Sequence, residues 1–234
     1  MTSAIIPPGA GAFSQSRDPR EERTVQRLTE AVLSLAGEQD ITRTSVAELT
    51  RKAGINRSTF YAFATSPVEL LANVLNAELD VARRSTAGEI SESGRLTRDI
   101  MRHTLDKIVD HVEQHSNIYA RPYGSSSRFA VRVVLAEHVE QSVLQVLRDG
   151  FIDPPINDPA FGTMFASFLA HGIAGVVETW MQSPTPRVRA TLIGAIEQMY
   201  PPWFAPNISG SGWLRNRESR SGDDHEAPAP ERPG

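Results

Sequence analysis

The 234-residue sequence contains no cysteine. This absence excludes a disulfide framework, a thiolate zinc site, an iron–sulfur cluster and a cysteine nucleophile. No run of residues approaches the roughly 18 consecutive apolar side chains of a membrane span. The first residues also lack the basic and apolar regions of a signal peptide. We therefore expect a soluble, cytoplasmic protein with no membrane partner.

The sequence also lacks an excess of positive charge. Its 24 lysine and arginine residues are outnumbered by 28 acidic residues, which gives a formal net charge of −4. Among the basic residues only Lys52 and Lys107 are lysines. Because the chain as a whole does not attract nucleic acid, any DNA contact has to come from a local basic surface.

Large apolar side chains are sparse at both ends of the chain. Residues 1–19 and 207–234 are rich in Pro, Gly and Ser, and they offer too little apolar surface to offset the entropy of ordering. We therefore predict a disordered arm at 1–19 and a disordered tail at 207–234, with the folded part between them.

Apolar residues recur every three or four positions throughout the folded part, as Val25, Leu28 and Val32 do in the first segment. This spacing predicts an all-α fold. The segment 131–147 is rich in β-branched residues, but its apolar spacing is helical and it is too long for a strand. The predicted helices span about 20–38, 45–53, 56–63, 67–86, 95–115, 128–149, 160–182 and 186–200.

Two short helices are predicted within residues 44–63. Ser45 and Glu48 have the spacing of a capping box, in which Glu48 reaches back to the backbone of Ser45. Gly54 suits the left-handed residue that ends a helix, and Asn56 suits the N-cap of the next helix. Two short helices joined by such a turn are typical of a helix-turn-helix unit.

The residues of this unit resemble those of the TetR family of bacterial transcriptional repressors. The resemblance rests on an ordered set of positions: Ser45, Val46, Leu49, Ala53-Gly54-Ile55, Asn56 and Thr59-Phe60-Tyr61. It implies a three-helix DNA-binding domain at 20–80 and a helical effector-binding and dimerisation domain at 81–206. It also implies a ligand-responsive regulator, a repressor that a small-molecule inducer releases from a palindromic operator. Pro67 stands where the family has a phosphate-contacting lysine, so that contact is not expected here.

The second short helix carries short polar side chains and one arginine on its outer face. Between residues 41 and 63 there are four basic residues and one acidic residue, a local charge of +3, which is the sign that phosphate contact requires. The predicted contacts with double-stranded operator DNA are Thr44, Ser45, Asn56, Arg57, Ser58, Thr59, Tyr61 and Ala62. The alternative is a helical small-molecule-binding protein without DNA-binding activity.

Residues 160–181 are apolar on every face, so a helix there has to be covered on both sides. Either it is the central helix of a monomer, or one face meets a second copy, as the family resemblance implies. The predicted homodimer interface comprises Phe168, Gly172, Val176, Leu192 and Ile196.

The resemblance also implies an effector pocket between the helices of residues 67–180. The sequence does not specify the small molecule. The candidate lining residues are His103, Tyr119, Tyr123, Phe129, Phe165 and His171.

His111 and His115 have the i, i+4 spacing of a metal-binding pair. We find no third ligand in the sequence and place the pair on a polar helix face, so we predict neither a metal nor another cofactor. The sequence has no Gly-x-Ser-x-Gly elbow and no phosphate-binding glycine loop. We therefore do not expect an enzyme.

Overall fold

The computed structural model describes residues 18–94, 96–120 and 126–204. Within these residues the chain is helical and contains no strand, which confirms the predicted all-α fold. The helices are α1 (Pro19–Glu38), α2 (Val46–Ala53), α3 (Arg57–Tyr61), α4 (Pro67–Ser93), α5 (Arg98–Gln114), α6 (Ser116–Tyr119), α7 (Ser126–Arg148), α8 (Pro159–Met181) and α9 (Arg189–Met199). A short 3-10 helix (Ile41–Arg43) joins α1 to α2.

Two helix boundaries differ from the prediction. Helix α4 was expected to end near residue 86, but it continues to Ser93 and ends at Gly94 in the left-handed conformation. It therefore crosses the predicted domain boundary at residue 80 without a break. Helix α9 begins at Arg189 rather than at Pro186, because Val188 before it has an extended backbone. Almost all of the predicted disordered arm, and the whole predicted tail, lie outside the described residues.

The first four helices form one packed unit. Helix α1 packs against α2 and α4, and α2 packs against α3. Leu28, Leu49 and Phe60 are fully buried at these contacts, together with Leu70 and Leu71 from the first turns of α4. Burial of a side chain of this size contributes about 1.5–3 kcal/mol. The buried Phe60 thus holds the short α3 in a fixed orientation on the rest of the unit.

The remaining helices pack around α7. Helix α7 has its largest contact with α8 and also packs against α4, while α5 packs against α4 and α9. Helix α8 is long and apolar enough to cross a membrane by length and composition alone, although only about 33% of its most apolar window is buried. Its buried side, which includes Leu169, Ile173 and Val177, belongs to the common core.

Candidate functional site

Asn56 fixes the start of α3 through a single side-chain oxygen. Its Oδ1 accepts hydrogen bonds from the backbone N of Thr59 at 2.7 Å, from Ser58 Oγ at 2.7 Å and from Thr59 Oγ1 at 2.8 Å. The predicted N-cap at Asn56 is therefore confirmed. The bonds hold the Ser58 and Thr59 hydroxyls near the N-terminal end of the helix, where unpaired backbone amides attract anions.

The outer face of α3 is exposed in the way that DNA contact requires. Arg57, Ser58 and Ala62 are exposed, and Tyr61 is 57% exposed. Phe60, between them, is buried, and its ring meets that of Tyr61 edge-on with centroids 5.5 Å apart. The helix thus presents a cation, two hydroxyls and a small apolar group to solvent on one side.

Of the two predicted DNA contacts before α2, the structure exposes only one. Ser45 is exposed, and its Oγ accepts a hydrogen bond from the backbone N of Glu48 at 3.1 Å. Thr44 is only 6% exposed and its hydroxyl accepts from the side chain of Gln39, so its side chain supports the turn instead of facing DNA. Glu48 also differs from the prediction, because its carboxylate accepts from Gln39 and does not complete a capping box.

The basic side chains of this unit lie at its surface. Arg43, Arg51 and Arg57 are exposed and form no ion pair with any residue that the structure describes. Lys52 is paired with Glu38, with Nζ 3.1 Å from Oε1. Because exposed ion pairs are weak, a phosphate group can compete with Glu38 for Lys52.

The start of α4 lies directly after α3 and is firmly capped. Ser66 Oγ accepts from the backbone N of Glu69 at 3.1 Å, and Glu69 Oε2 accepts from the backbone N of Thr65 at 2.8 Å. Pro67, which occupies the position of the family's lysine, is the first helical residue and is buried. The side chain at this position therefore contributes to packing.

Within the part of the chain that the structure describes, a cavity of about 90 Å³ lies between α4, α5, α7 and α8. Four residues of its lining carry a hydroxyl group: Thr86, Thr104, Ser142 and Tyr200. Its apolar lining includes Ile90, Leu105, Ile108, Val143, Leu169 and Ile173. A second hollow shares five lining residues with it and reaches the polar side chains of Arg83, Gln145 and Asp149. Together the two hollows form an apolar chamber with a polar side.

None of the predicted pocket residues that the structure describes lines this chamber. His103 and His171 are exposed, Phe129 is 71% exposed, and Tyr123 lies outside the described residues. Tyr119 lines a separate small hollow. The chamber residues that the prediction missed are aliphatic and hydroxyl side chains, whose spacing does not differ from that of ordinary core residues.

Phe165 fills space next to the chamber without lining it. Its ring stacks on that of Phe161 and meets those of Trp203 and Phe204 at a tilt of 55°, with the Trp203 centroid 4.5 Å away. This aromatic cluster closes the end of the molecule near the last described residues, so Phe165 serves as packing.

The predicted dimer residues fall into two groups. Phe168 is 75% exposed and Gly172 is also exposed, one turn further along α8. Val176 is half-buried on the same face. Leu192 and Ile196, by contrast, are 2% and 1% exposed, so in α9 they face the interior of the protomer and cannot meet a second copy. The sequence spacing of α9 alone did not distinguish its inner from its outer face.

His111 and His115 are buried, although the sequence analysis placed them on a polar face. They are 8% and 7% exposed, and the carboxylate of Glu78 on α4 lies between them. Partial burial would raise the pKa of Glu78, but the hydrogen bonds from both histidines lower it to about 2. Burial lowers the pKa of His111. Glu78 is thus the third potential ligand beside His111 and His115, and the sequence pattern did not reveal it.

Comparison with known proteins agrees with this architecture. A family model of TetR proteins, described as the transcriptional regulator C-terminal region, matches residues 100–200. No curated protein sequence is significantly similar to the chain.

Solved structures share the fold at low sequence identity. The fatty acid degradation regulator FadR of Bacillus halodurans is 11% identical, with a TM-score of 0.52 over 84% of this chain and 98% of that one. Thermus thermophilus FadR, a TetR-family transcriptional repressor in complex with lauroyl-CoA, is 15% identical, with a TM-score of 0.52 over 88% of this chain and 99% of that one.

Helix α3 exposes a polar face on the packed unit of the first four helices, and the remaining helices form a second, regulatory part. This is the architecture of a helix-turn-helix transcriptional regulator. The family match lies in the C-terminal helices, and the shared fold covers both parts. The family match over residues 100–200 and the shared fold support the resemblance to TetR-family regulators that the sequence pattern predicted. The matched family and the two FadR proteins are regulators.

Proposed function

We propose that the protein is a homodimeric repressor that binds a palindromic operator through α3 and releases it when an amphipathic molecule enters the chamber. The exposed polar face of α3, held by Asn56, is the observation that carries the DNA-binding part. The apolar chamber between α4, α5, α7 and α8 carries the ligand-binding part. The protein would act on DNA in the cytoplasm.

In the proposed complex α3 lies in the major groove. Arg57 and Tyr61 contact phosphates and position the helix, while Ser58, at its N-terminal end, reads a base edge. The two α3 helices of the dimer occupy successive major grooves, so their half-sites are about 34–36 Å apart. This spacing requires a dimer, because one half-site alone offers too few contacts for specific binding.

The exposed side of α8 is the proposed dimer surface. Met164, Phe168 and Gly172 lie one helical turn apart, and Met164 and Phe168 are 65% and 75% exposed. A Cβ atom built on Gly172 or Gly175 meets nothing within 4 Å, so these glycines leave the helix backbone open. Large exposed apolar groups beside small residues favour close packing against a partner helix, and such patches mark interaction sites.

The chamber favours a ligand with one aliphatic chain and a polar head. Thermus thermophilus FadR, which shares the fold, binds lauroyl-CoA, and the aliphatic lining here is suited to an acyl chain. The two hollows of the chamber, of about 90 Å³ and about 50 Å³, are together smaller than the roughly 300–1,000 Å³ of pockets for drug-sized ligands. A ligand of that size therefore has to separate α4 from α5 and α7. The N-terminal end of α4 packs in the unit that contains the proposed DNA-binding helix α3.

The DNA-binding proposal is tested by selecting duplexes from random DNA with the full-length protein and measuring fluorescence anisotropy of the selected sequence. We expect a palindrome, and affinity that falls steeply with salt because phosphate contacts release counterions. Arg57→Ala and Tyr61→Phe should weaken binding to all duplexes, while Ser58→Ala should relax base preference. Arg148→Ala, an exposed arginine at the end of α7, is the matched control and should bind as the wild type does.

Selection of no sequence, or equal binding by Arg57→Ala and Arg148→Ala, would favour a helical ligand-binding protein without DNA activity.

The ligand part is tested separately by adding lauroyl-CoA, dodecanoate or free CoA to the protein–operator complex. We expect the two acyl compounds to release DNA and free CoA to have no effect. Ile108→Trp, which fills the chamber, should keep DNA binding and abolish the release, whereas Val81→Trp on the exposed side of α4 should respond normally. Release of DNA by free CoA alone, or an undiminished response in Ile108→Trp, would refute the chamber as the acyl site.

A further inference from the structure

We propose that Glu78, His111 and His115 form a binding site for one divalent transition-metal ion, with Zn²⁺ as the favoured occupant. The ligand atoms of the three side chains, one from each, lie within 4.8 Å of one another. This site is separate from the chamber and from α3, and the inference does not depend on the proposed function.

The geometry brings two imidazoles to one carboxylate. His111 and His115 lie one turn apart on α5, with ring centroids 4.9 Å apart. Glu78 Oε2 is 3.2 Å from His111 Nδ1 and 2.6 Å from His115 Nε2. In a tetrahedral zinc site with metal–ligand distances of about 2.0–2.2 Å, neighbouring ligand atoms are separated by about 3.3 Å. Side-chain rotations of the three groups are therefore enough to close them around an ion.

The donor set suits a zinc ion. Two histidines and one carboxylate are a ligand set used by zinc sites that keep a fourth position for water. With no cysteine in the chain, nitrogen and oxygen are the ligand atoms available.

A second residue orients the first histidine. Tyr119 Oη lies 3.0 Å from His111 Nε2, on the side of the ring that faces away from Glu78. The Tyr119 hydroxyl can accept a hydrogen bond from Nε2–H, which leaves Nδ1 free to bind a metal. Metal-bound histidines regularly have such an oxygen partner for their other ring nitrogen.

A buried ion-pair network without any metal explains the same contacts, and titration of the intact protein distinguishes the two. Full-length protein is treated with a chelator, dialysed and titrated with ZnCl₂ in a calorimeter. We expect saturable binding of one ion per chain. Titration with CoCl₂ should give the strong visible absorption of four-coordinate Co²⁺, and Zn²⁺ should abolish it. Absence of saturable binding by the wild type would overturn the proposal without reference to any variant.

The variants locate the ion. His115→Ala and Glu78→Gln should lose the single-site binding. Tyr119→Phe should retain it with an affinity about 10–100-fold lower, as for other residues that orient metal ligands. His103→Ala is the matched control, because His103 also pairs with a carboxylate, Glu89 at 3.0 Å, but on the surface.

Far-UV circular dichroism establishes that each variant is folded before it is titrated. Unchanged binding by folded His115→Ala, or loss of binding in His103→Ala alone, would place the ion elsewhere and refute the site.

Discussion

The cap of α3 allows stability and DNA binding to be separated at one residue. Asn56→Ala removes the oxygen that accepts from the backbone N of Thr59 and from two hydroxyls. Loss of an N-cap costs about 0.5–2 kcal/mol. Because the two hydroxyls lie at the exposed end of the helix and can bond to water instead, we expect a total loss of about 1 kcal/mol.

Asn56→Asp should preserve the stability of the protein but weaken its binding to the operator. The carboxylate keeps the acceptor position and is favoured beside the free amides of a helix N-terminus, so stability should stay within about 0.5 kcal/mol of the wild type. A negative charge about 6 Å from a DNA phosphate costs about 1–3 kcal/mol at effective dielectric constants between those of water and a protein surface. Operator affinity should therefore fall about 5–150-fold. Asn56→Ser, a neutral cap, is the control and should preserve both properties.

Urea denaturation followed by circular dichroism measures the first quantity, and fluorescence anisotropy with the selected operator measures the second. If Asn56→Asp lost as much stability as Asn56→Ala, Oδ1 would not be the effective cap. If Asn56→Asp bound the operator as tightly as Asn56→Ser does, the N-terminal end of α3 would not face phosphate.

Three further predictions concern single contacts. Gly54 has φ +66° and a Cβ there meets nothing within 4 Å, so Gly54→Ala should cost about 1 kcal/mol in urea denaturation through backbone strain alone, and Gly54→Asn less. The buried carboxylate of Glu197 is held by the partly exposed Arg98 and Arg102 at 3.2–3.3 Å. Replacing both arginines by Met should cost about 3 kcal/mol and Glu197→Gln clearly less, because an unpaired buried charge is costlier than an amide; equal losses would contradict this. Phe168→Glu should give monomers in sedimentation velocity that keep the helical circular dichroism spectrum of the wild type, and an unchanged dimer would exclude the exposed side of α8 as the interface.

The sequence predicted the fold well because its signals are local. Helix starts at Ser45, Asn56 and Ser66 have side chains that bond to their own backbone, and such bonds depend only on neighbouring residues. The apolar spacing of each helix is likewise visible in a single segment. The error at the end of α4 arose because residues 86–93 carry few apolar side chains, and Ile90 is the buried residue that continues the helix onto the core.

The sites were harder to predict because they depend on which helices meet. Periodicity shows that α9 has an apolar face, but the position of α5 decides that Leu192 and Ile196 point inward. The chamber exists because the side chains of four helices do not fill the space between them. The sequence of any one helix cannot show this, since the unfilled space depends on how the four helices pack.

The histidine pair shows the same limit most clearly. His111 and His115 are four residues apart on α5, so the sequence shows them as a pair. Glu78 comes from α4, more than thirty residues earlier. Only the packing of α4 on α5 brings the three together.

Helix α4 connects all of these features. Its first turn packs under the DNA-reading unit, Glu78 lies in its middle, and Thr86 and Ile90 line the chamber nearer its end. Because one rigid helix carries the three positions, a ligand that displaces its C-terminal half also moves its N-terminal end. A ligand changes operator affinity only as far as it prefers the displaced state, and couplings of about 1–3 kcal/mol are usual between such sites. An ion that joins Glu78 to α5 would oppose this displacement. Because Glu78 lies on α4 between the chamber and the unit formed by α1–α3, such an ion would have a large effect on the coupling between ligand and operator.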